Sequence, residues 1–199
     1  MPSQYGEDAR VLELFAGRTG RFLDLGAYDW QALSNTRALA DAGWTGVLVE
    51  GGPHQVDALL RQTQNEPRVR LINAIVHPRS TGLIVPFWSS DDAISSTRAA
   101  HVREWKTCVL DYAPMEVVTL SITDLMRHLN ERFDFISIDV EGESAEVALA
   151  LIQTVPQWLP EVMCVEHDGQ AVTLLAQATP HGYQEVWQNG TNLILRRTP

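Results

Sequence analysis

Residues 22–50, FLDLGAYDWQALSNTRALADAGWTGVLVE, decide the fold. Phe22 to Ala27 is a short apolar run that stops in the turn-like Tyr28-Asp29-Trp30, which predicts a buried strand ending in a loop. Ser34 and Asn35 can cap a helix running to Ala42, and Gly43 stands where a helix terminates. Gly46 to Glu50 predicts a second strand, closed by Gly51-Gly52-Pro53. Strand, helix and strand in so short a span make a parallel crossover.

Working outward, Pro53 suits the first turn of a helix through about Gln64, and Val69 to Val76 predicts a third strand. Residues 78–114 break the alternation. They hold a strand at Leu83 to Trp88, a polar Ser89-Ser90-Asp91-Asp92 loop and a Ser95 to Trp105 segment without clear periodicity, and are expected to form an insertion over one end of the sheet. Regular order resumes with strands at Val117 to Leu120, Phe133 to Val140 and Val162 to Glu166. Helices are expected at Thr123 to Asn130, Ser144 to Thr154 and Gln170 to Ala178. Gln184 to Trp187 and Leu193 to Arg196 flank Asn189-Gly190, a hairpin signal. The pattern predicts one α/β domain over residues 1–199: a mostly parallel, Rossmann-like sheet with helices on both faces and a C-terminal antiparallel hairpin.

Composition narrows the function classes. With 199 residues and 45% hydrophobic content, the chain can bury one sizeable core. A net charge of −10 repels phosphate backbones, so nucleic acid is not an expected partner. No apolar run approaches a membrane span, and the first residues show no targeting pattern, which predicts a cytoplasmic protein without membrane partners. Cys108 and Cys164 form neither a CxxC pair nor a disulfide framework and are expected to be packing residues. No G-x-S-x-G elbow, Walker loop or HExxH occurs, so hydrolase and NTPase readings lose support.

In a doubly wound sheet, ligands bind beyond the carboxyl ends of the strands. There the chain carries Asp24-Leu25-Gly26-Ala27, with one glycine rather than the GxGxxG that a dinucleotide pyrophosphate requires. S-adenosylmethionine has no phosphate and needs less: a glycine where its methionyl portion crosses the loop, and polar groups for its charged ends. Asp24 and Gly26 offer both. Glu50 ends the second strand, where a carboxylate can accept hydrogen bonds from both ribose hydroxyls. Asn73-Ala74, late in the third strand, can present an amide to the adenine edge while the alanine leaves room for the ring.

The ordered motifs resemble the FkbM-type methyltransferases. They are Ser3-Gln4-Tyr5-Gly6-Glu7-Asp8, the Asp24 to Asp29 loop, Ser34-Asn35-Thr36, Gly43-Trp44 through Glu50, Asn73-Ala74, and Ile136-Ser137-Ile138-Asp139-Val140-Glu141-Gly142, in order over residues 3–168. The resemblance implies a class I methyltransferase fold and O-methylation of a hydroxyl on a small-molecule acceptor, such as a sugar or secondary metabolite, with S-adenosylmethionine as donor. A non-catalytic protein that binds the same cofactor is the alternative. Cofactor contacts are expected from Asp24, Gly26, Ala27, Ser34, Asn35, Thr36, Glu50 and Asn73. Trp30 stands where the family often has glycine, so its ring either narrows the methionyl pocket or shields it.

Methyl transfer to a hydroxyl needs an aligned acceptor and help in removing its proton. Asp139 and Glu141, at the fourth repeating strand's end, suit that chemistry, with Asp139 as the main acceptor-side residue. Glu166-His167-Asp168 ends the next strand, so Asp139 and Glu166 could share a divalent cation such as Mg²⁺. Without a metal, His167 becomes the candidate general base. The remaining histidines are dispersed without ligand spacing.

Overall fold

The computed structural model describes residues 3–89, 95–105, 113–154 and 156–198. Its core is a seven-stranded sheet built from β1 (Arg21–Leu25), β2 (Thr45–Glu50), β3 (Val69–Asn73), β7 (Phe135–Ile138), β8 (Val162–Glu166), β9 (Tyr183–Gln188) and β10 (Asn192–Arg197). The order is β3-β2-β1-β7-β8-β10-β9. The first five strands run parallel, and β10 pairs antiparallel with both β8 and β9. Strand order reverses between β1 and β7, so the crevice lies beyond those two strand ends.

The strands are apolar on both faces because both are covered. Leu23, Leu25, Ile136, Ile138, Met163 and Val165 face α5 (Ile122–Leu129), α6 (Ser144–Thr154) and α7 (Ala171–Ala178). Phe22, Leu48, Phe135 and Cys164 face α1 (Glu7–Phe15), α2 (Arg37–Asp41) and α3 (Pro53–Thr63). Each fully buried side chain of this size stabilises the fold by roughly 1.5–3 kcal/mol. Asp24 and Ser137 are paired in register and point to the α1–α3 side. Trp30 packs into that same layer against Phe22, with the Arg37 guanidinium over its ring, so its bulk serves the core rather than the cavity.

Three features depart from the sequence expectation. No element was expected before Phe22, yet Glu7–Phe15 is a helix that buries Val11 and Phe15. The expected strand from Val69 to Val76 is two strands: after Ala74 N donates to Glu50 O, β4 (Ile75–His77) leaves the main sheet and pairs with β6 (Ala113–Ser121). The aperiodic Ser95 to Trp105 segment contains α4 (Ala99–Trp105). A second sheet, β4-β6-β5, includes β5 (Ile84–Ser89) and draws strands from both sides of the expected insertion. The polar loop beyond Ser89 and Cys108 lie outside the described residues. Cys164 is a free, buried thiol, as a packing residue should be. Among the described residues, no helix is long and apolar enough to cross a membrane.

Candidate functional site

The loop after β1 is built by its own sequence. Ser34 Oγ accepts from the backbone N–H groups of Thr36 and Arg37, so it turns the chain into α2. Thr36 Oγ1 then donates to Asp24 Oδ2 at 2.6 Å, and Asn35 Nδ2 donates to Ser137 Oγ at 3.1 Å. The Ser34-Asn35-Thr36 triplet thus ties the loop to the ends of β1 and β7. Asp24 is only 3% exposed, and burial pushes its carboxyl up to about 6 despite the bonds to Thr36 and Ser137.

This geometry divides the expected cofactor set. Asp24, Ala27, Ser34 and Thr36 are buried under the loop and line neither cavity at the strand ends. They support the site without lining it. Gly26 lines both cavities, and its glycine identity has an internal cause. Its φ is +79°, and a Cβ there would stand 1.7 Å from Asp139 O. Gly26 N and Ala27 N both donate to Val49 O, and Asp139 N donates to Leu25 O.

Glu50 is held by three backbone N–H groups. Its Oε2 accepts from Tyr28 at 3.0 Å, and its Oε1 accepts from Gly51 and Gly52 at 2.8 and 2.7 Å. Burial raises its pKa, and those three bonds act against the rise. The carboxylate, thus oriented, borders a cavity with Gly51, Ala74, Ile75, Val76 and Phe87. Asn73 is exposed and does not line this cavity, whereas its neighbour Ala74 does. Phe87 and residues 95–97 also close the cavity, and sequence reasoning missed them. Their placement depends on the β5–β6 pairing, which has no local signal.

A second cavity shares Gly26, Tyr28, Asp139 and Glu141 with the first. Asp139, Glu141 and Glu166 offer carboxylate oxygens all within 4.8 Å of one another. The sequence placed Asp139 and Glu166 on neighbouring strand ends, and the structure adds Glu141. Burial first, and then the neighbouring carboxylates' charge, raises the pKa of both Asp139 and Glu166. Asp139 Oδ1 is buried without a hydrogen-bond partner. Glu141 has a left-handed backbone, φ 49°, and Ser96 Oγ donates to its carbonyl at 2.6 Å. Arg98 donates to the carbonyl of Gly142, so residues 96–98 hold the carboxylate-bearing turn.

His167 does not join this group. Its Nδ1 accepts from Gly169 N at 3.1 Å, which leaves Nε2 as the protonated nitrogen, 3.1 Å from Asn189 O. Both ring nitrogens are thus committed to the β8 turn and the hairpin, and the ring is 4% exposed. The general-base expectation for His167 is therefore withdrawn. The N-terminal motif, by contrast, reaches the site: Asn192 Nδ2 donates to buried Glu7 Oε1 at 2.8 Å, and Gln4 and Tyr5 line the second cavity.

A seven-stranded α/β sheet of this order, with its crevice at the β1/β7 reversal, defines the class I S-adenosylmethionine-dependent methyltransferase fold. Solved structures agree on the fold. A hypothetical protein of Thermus thermophilus, TTHA0928, is 16% identical with a TM-score of 0.54, over 99% of this chain and 88% of that one. The N-methyltransferase NodS of Bradyrhizobium japonicum is 11% identical with a TM-score of 0.53, over 96% and 94%. A putative RNA methyltransferase of Pyrococcus horikoshii, PH1948, is 10% identical with a TM-score of 0.54, over 97% and 82%. No curated protein matches the chain. The methyltransferase FkbM domain matches residues 24–189, and the chain belongs to that family.

Proposed function

We propose that the chain transfers a methyl group from S-adenosylmethionine to a hydroxyl of a small-molecule acceptor. The observation that carries this reading is the pair of cavities that meet at Gly26 and Asp139. The first cavity is edged by the fixed Glu50 carboxylate, the second adds Glu166, and both share Gly26, Asp139 and Glu141. Family and fold imply the cofactor, which supplies an electrophilic methyl on a sulfonium.

The chain's own residues do the rest. Glu50 is suited to accept hydrogen bonds from ribose hydroxyls, because its remaining lone pairs border the first cavity. Ala74 leaves space for a flat ring there, and Val76 and Phe87 give it apolar walls. Asp139, its basicity raised by burial, is the group to accept the proton that the acceptor hydroxyl loses. The proton then resides on the Asp139 carboxyl, whose protonated form is favoured by burial and by the charge of Glu141.

Asp139, Glu141 and Glu166 also have the hard-oxygen chemistry and the spacing to hold one divalent cation, and the transfer step above does not require it. A calorimetric titration with MgCl₂ tests this: binding lost in Asp139→Asn supports the ion, and no heat in the parent removes it. For the reaction itself, release of adenosylhomocysteine is measured with a panel of hydroxyl and amine acceptors. Turnover of hydroxyls in the parent, lost in Asp139→Asn with cofactor affinity intact, supports the reading. A parent that binds the cofactor and turns over no acceptor, or only amines, contradicts it.

A further inference from the structure

Residues 3–6 form no helix or strand, yet they stand at the second cavity, with Gln4 and Tyr5 in its lining. Two ties hold them there. Ser3 Oγ donates to Asp8 Oδ1 at 2.5 Å, and the backbone N–H of Tyr5 donates to Glu7 Oε2 at 2.9 Å. Glu7, the first residue of α1, is fully buried, and its Oε1 accepts from Asn192 Nδ2 at 2.8 Å. An acidic residue at a helix N-terminus serves the dipole when exposed, and burying its carboxylate is costly unless donors meet it. What the two oxygens join accounts for the burial of Glu7.

Asn192 belongs to the same cavity. It lines it together with Thr191, its backbone N–H donates to Asn189 Oδ1 at 2.6 Å, and it stands opposite Glu166 in the β8–β10 register. Glu7 therefore ties two parts of one lining to each other: the segment that carries Gln4 and Tyr5, and the hairpin strand beside Glu166. A wall already in place when a ligand arrives need not be ordered on binding, whereas a loose wall must be, and affinity falls by that entropy. Gln4, Tyr5, Thr191 and Asn192 line the second cavity and not the first, so the tie acts on one ligand and not on the other.

We infer that Glu7 is a positioning residue for the methyl acceptor: through Tyr5 and Asn192 it holds the wall of the second cavity, and acceptor binding depends on it while cofactor binding does not. The inference rests on the reading of that cavity as the acceptor's site. Initial rates of adenosylhomocysteine release, with S-adenosylmethionine and a hydroxyl acceptor from the panel each varied, are compared in the parent, Glu7→Ala, Glu7→Gln and Asn192→Ala. Calorimetric titration of adenosylhomocysteine gives the cofactor affinity and, from its stoichiometry, the active fraction of each protein.

Glu7→Ala and Asn192→Ala should each raise the acceptor KM by about tenfold or more, with the S-adenosylmethionine KM and adenosylhomocysteine affinity within about twofold of the parent. The double variant should raise it no further than the larger single change, because both remove the same bond. Glu7→Gln keeps an oxygen for the Tyr5 N–H, and its amide can donate to Asn192 once that side chain turns its oxygen inward, so its acceptor KM should stay within about threefold of the parent. A purely structural role would lower the active fraction and leave both KM values unchanged. Asn192→Ala, in a strand that keeps its backbone bonds, carries the same test where Glu7→Ala does not fold. An unchanged acceptor KM in the alanine variants overturns the inference, as does an equal rise in the S-adenosylmethionine KM or a Glu7→Gln as impaired as Glu7→Ala. A parent that binds adenosylhomocysteine and turns over no hydroxyl removes the reading of the site instead, and this inference with it.

Discussion

Asp139 O lies 1.7 Å from where a Cβ on Gly26 would stand, so the β1 loop and the end of β7 meet backbone to backbone. That contact lies where the two cavities share their lining, and it admits no side chain. Gly26→Ala must therefore displace one of the two loops, on a backbone already at φ +79°. It should lower unfolding free energy by about 2–4 kcal/mol, read as a fall in the urea midpoint, and weaken adenosylhomocysteine by at least tenfold.

Asp24 predicts an unusual pH dependence. Burial raises its pKa from 3.8 to about 6 in the fold. A carboxyl with a raised folded pKa favours the fold below the unfolded value and loses that contribution as pH rises through the folded one. By pH 7 the loss is on the order of 2–3 kcal/mol. Asp24→Asn keeps an acceptor for Thr36 and removes the charge, so its melting temperature should match the parent near pH 4 and exceed it near pH 8. A difference independent of pH would show that the Asp24 charge is not desolvated in the fold.

His167→Ala separates support from chemistry. Loss of the bonds from Gly169 N and to Asn189 O should destabilise the protein by about 1–3 kcal/mol in thermal or urea unfolding. Methyl transfer per folded molecule should be retained. A large fall in turnover at full occupancy of fold would return the imidazole to the reaction.

Asp139 should set the pH profile of transfer. Its raised pKa means that the basic form accumulates only as pH rises through that value, so kcat/KM is expected to climb with pH toward neutrality. The Asp139→Asn variant should lose both the rate and the climb, while keeping cofactor affinity and at least the parent's stability, because a buried charge has been removed.

The sequence was informative where chemistry sits at strand ends. Glu50, Asp139 and Glu166 follow apolar runs whose parallel pairing carries them to one edge, and the structure places all three on the cavities. Asn73 shows the limit of that reasoning. A strand's side chains alternate, and of the Asn73-Ala74 pair the alanine lines the cavity while Asn73 is exposed. The bonds of His167 to Gly169 N and Asn189 O were not legible, because a histidine after a strand looks the same whether its ring turns to the cleft or to the hairpin. The β4-β6-β5 sheet was not legible because Ile75 pairs with Thr119, and no local pattern announces so distant a partner. Tyr5 was read only as part of a motif, since its place at the cavity depends on the buried Glu7–Asn192 bond.

The central claim is that Glu50 holds the nucleoside of a methyl donor, and the direct measurement is calorimetric titration of adenosylhomocysteine into the parent and into Glu50→Gln. An amide can neither accept from all three backbone N–H groups nor offer the same charge to ribose hydroxyls. Saturable binding by the parent, weakened by about tenfold to a hundredfold in Glu50→Gln with the fold intact, is the predicted result. No binding by the parent, or equal affinity in the two proteins, would contradict it.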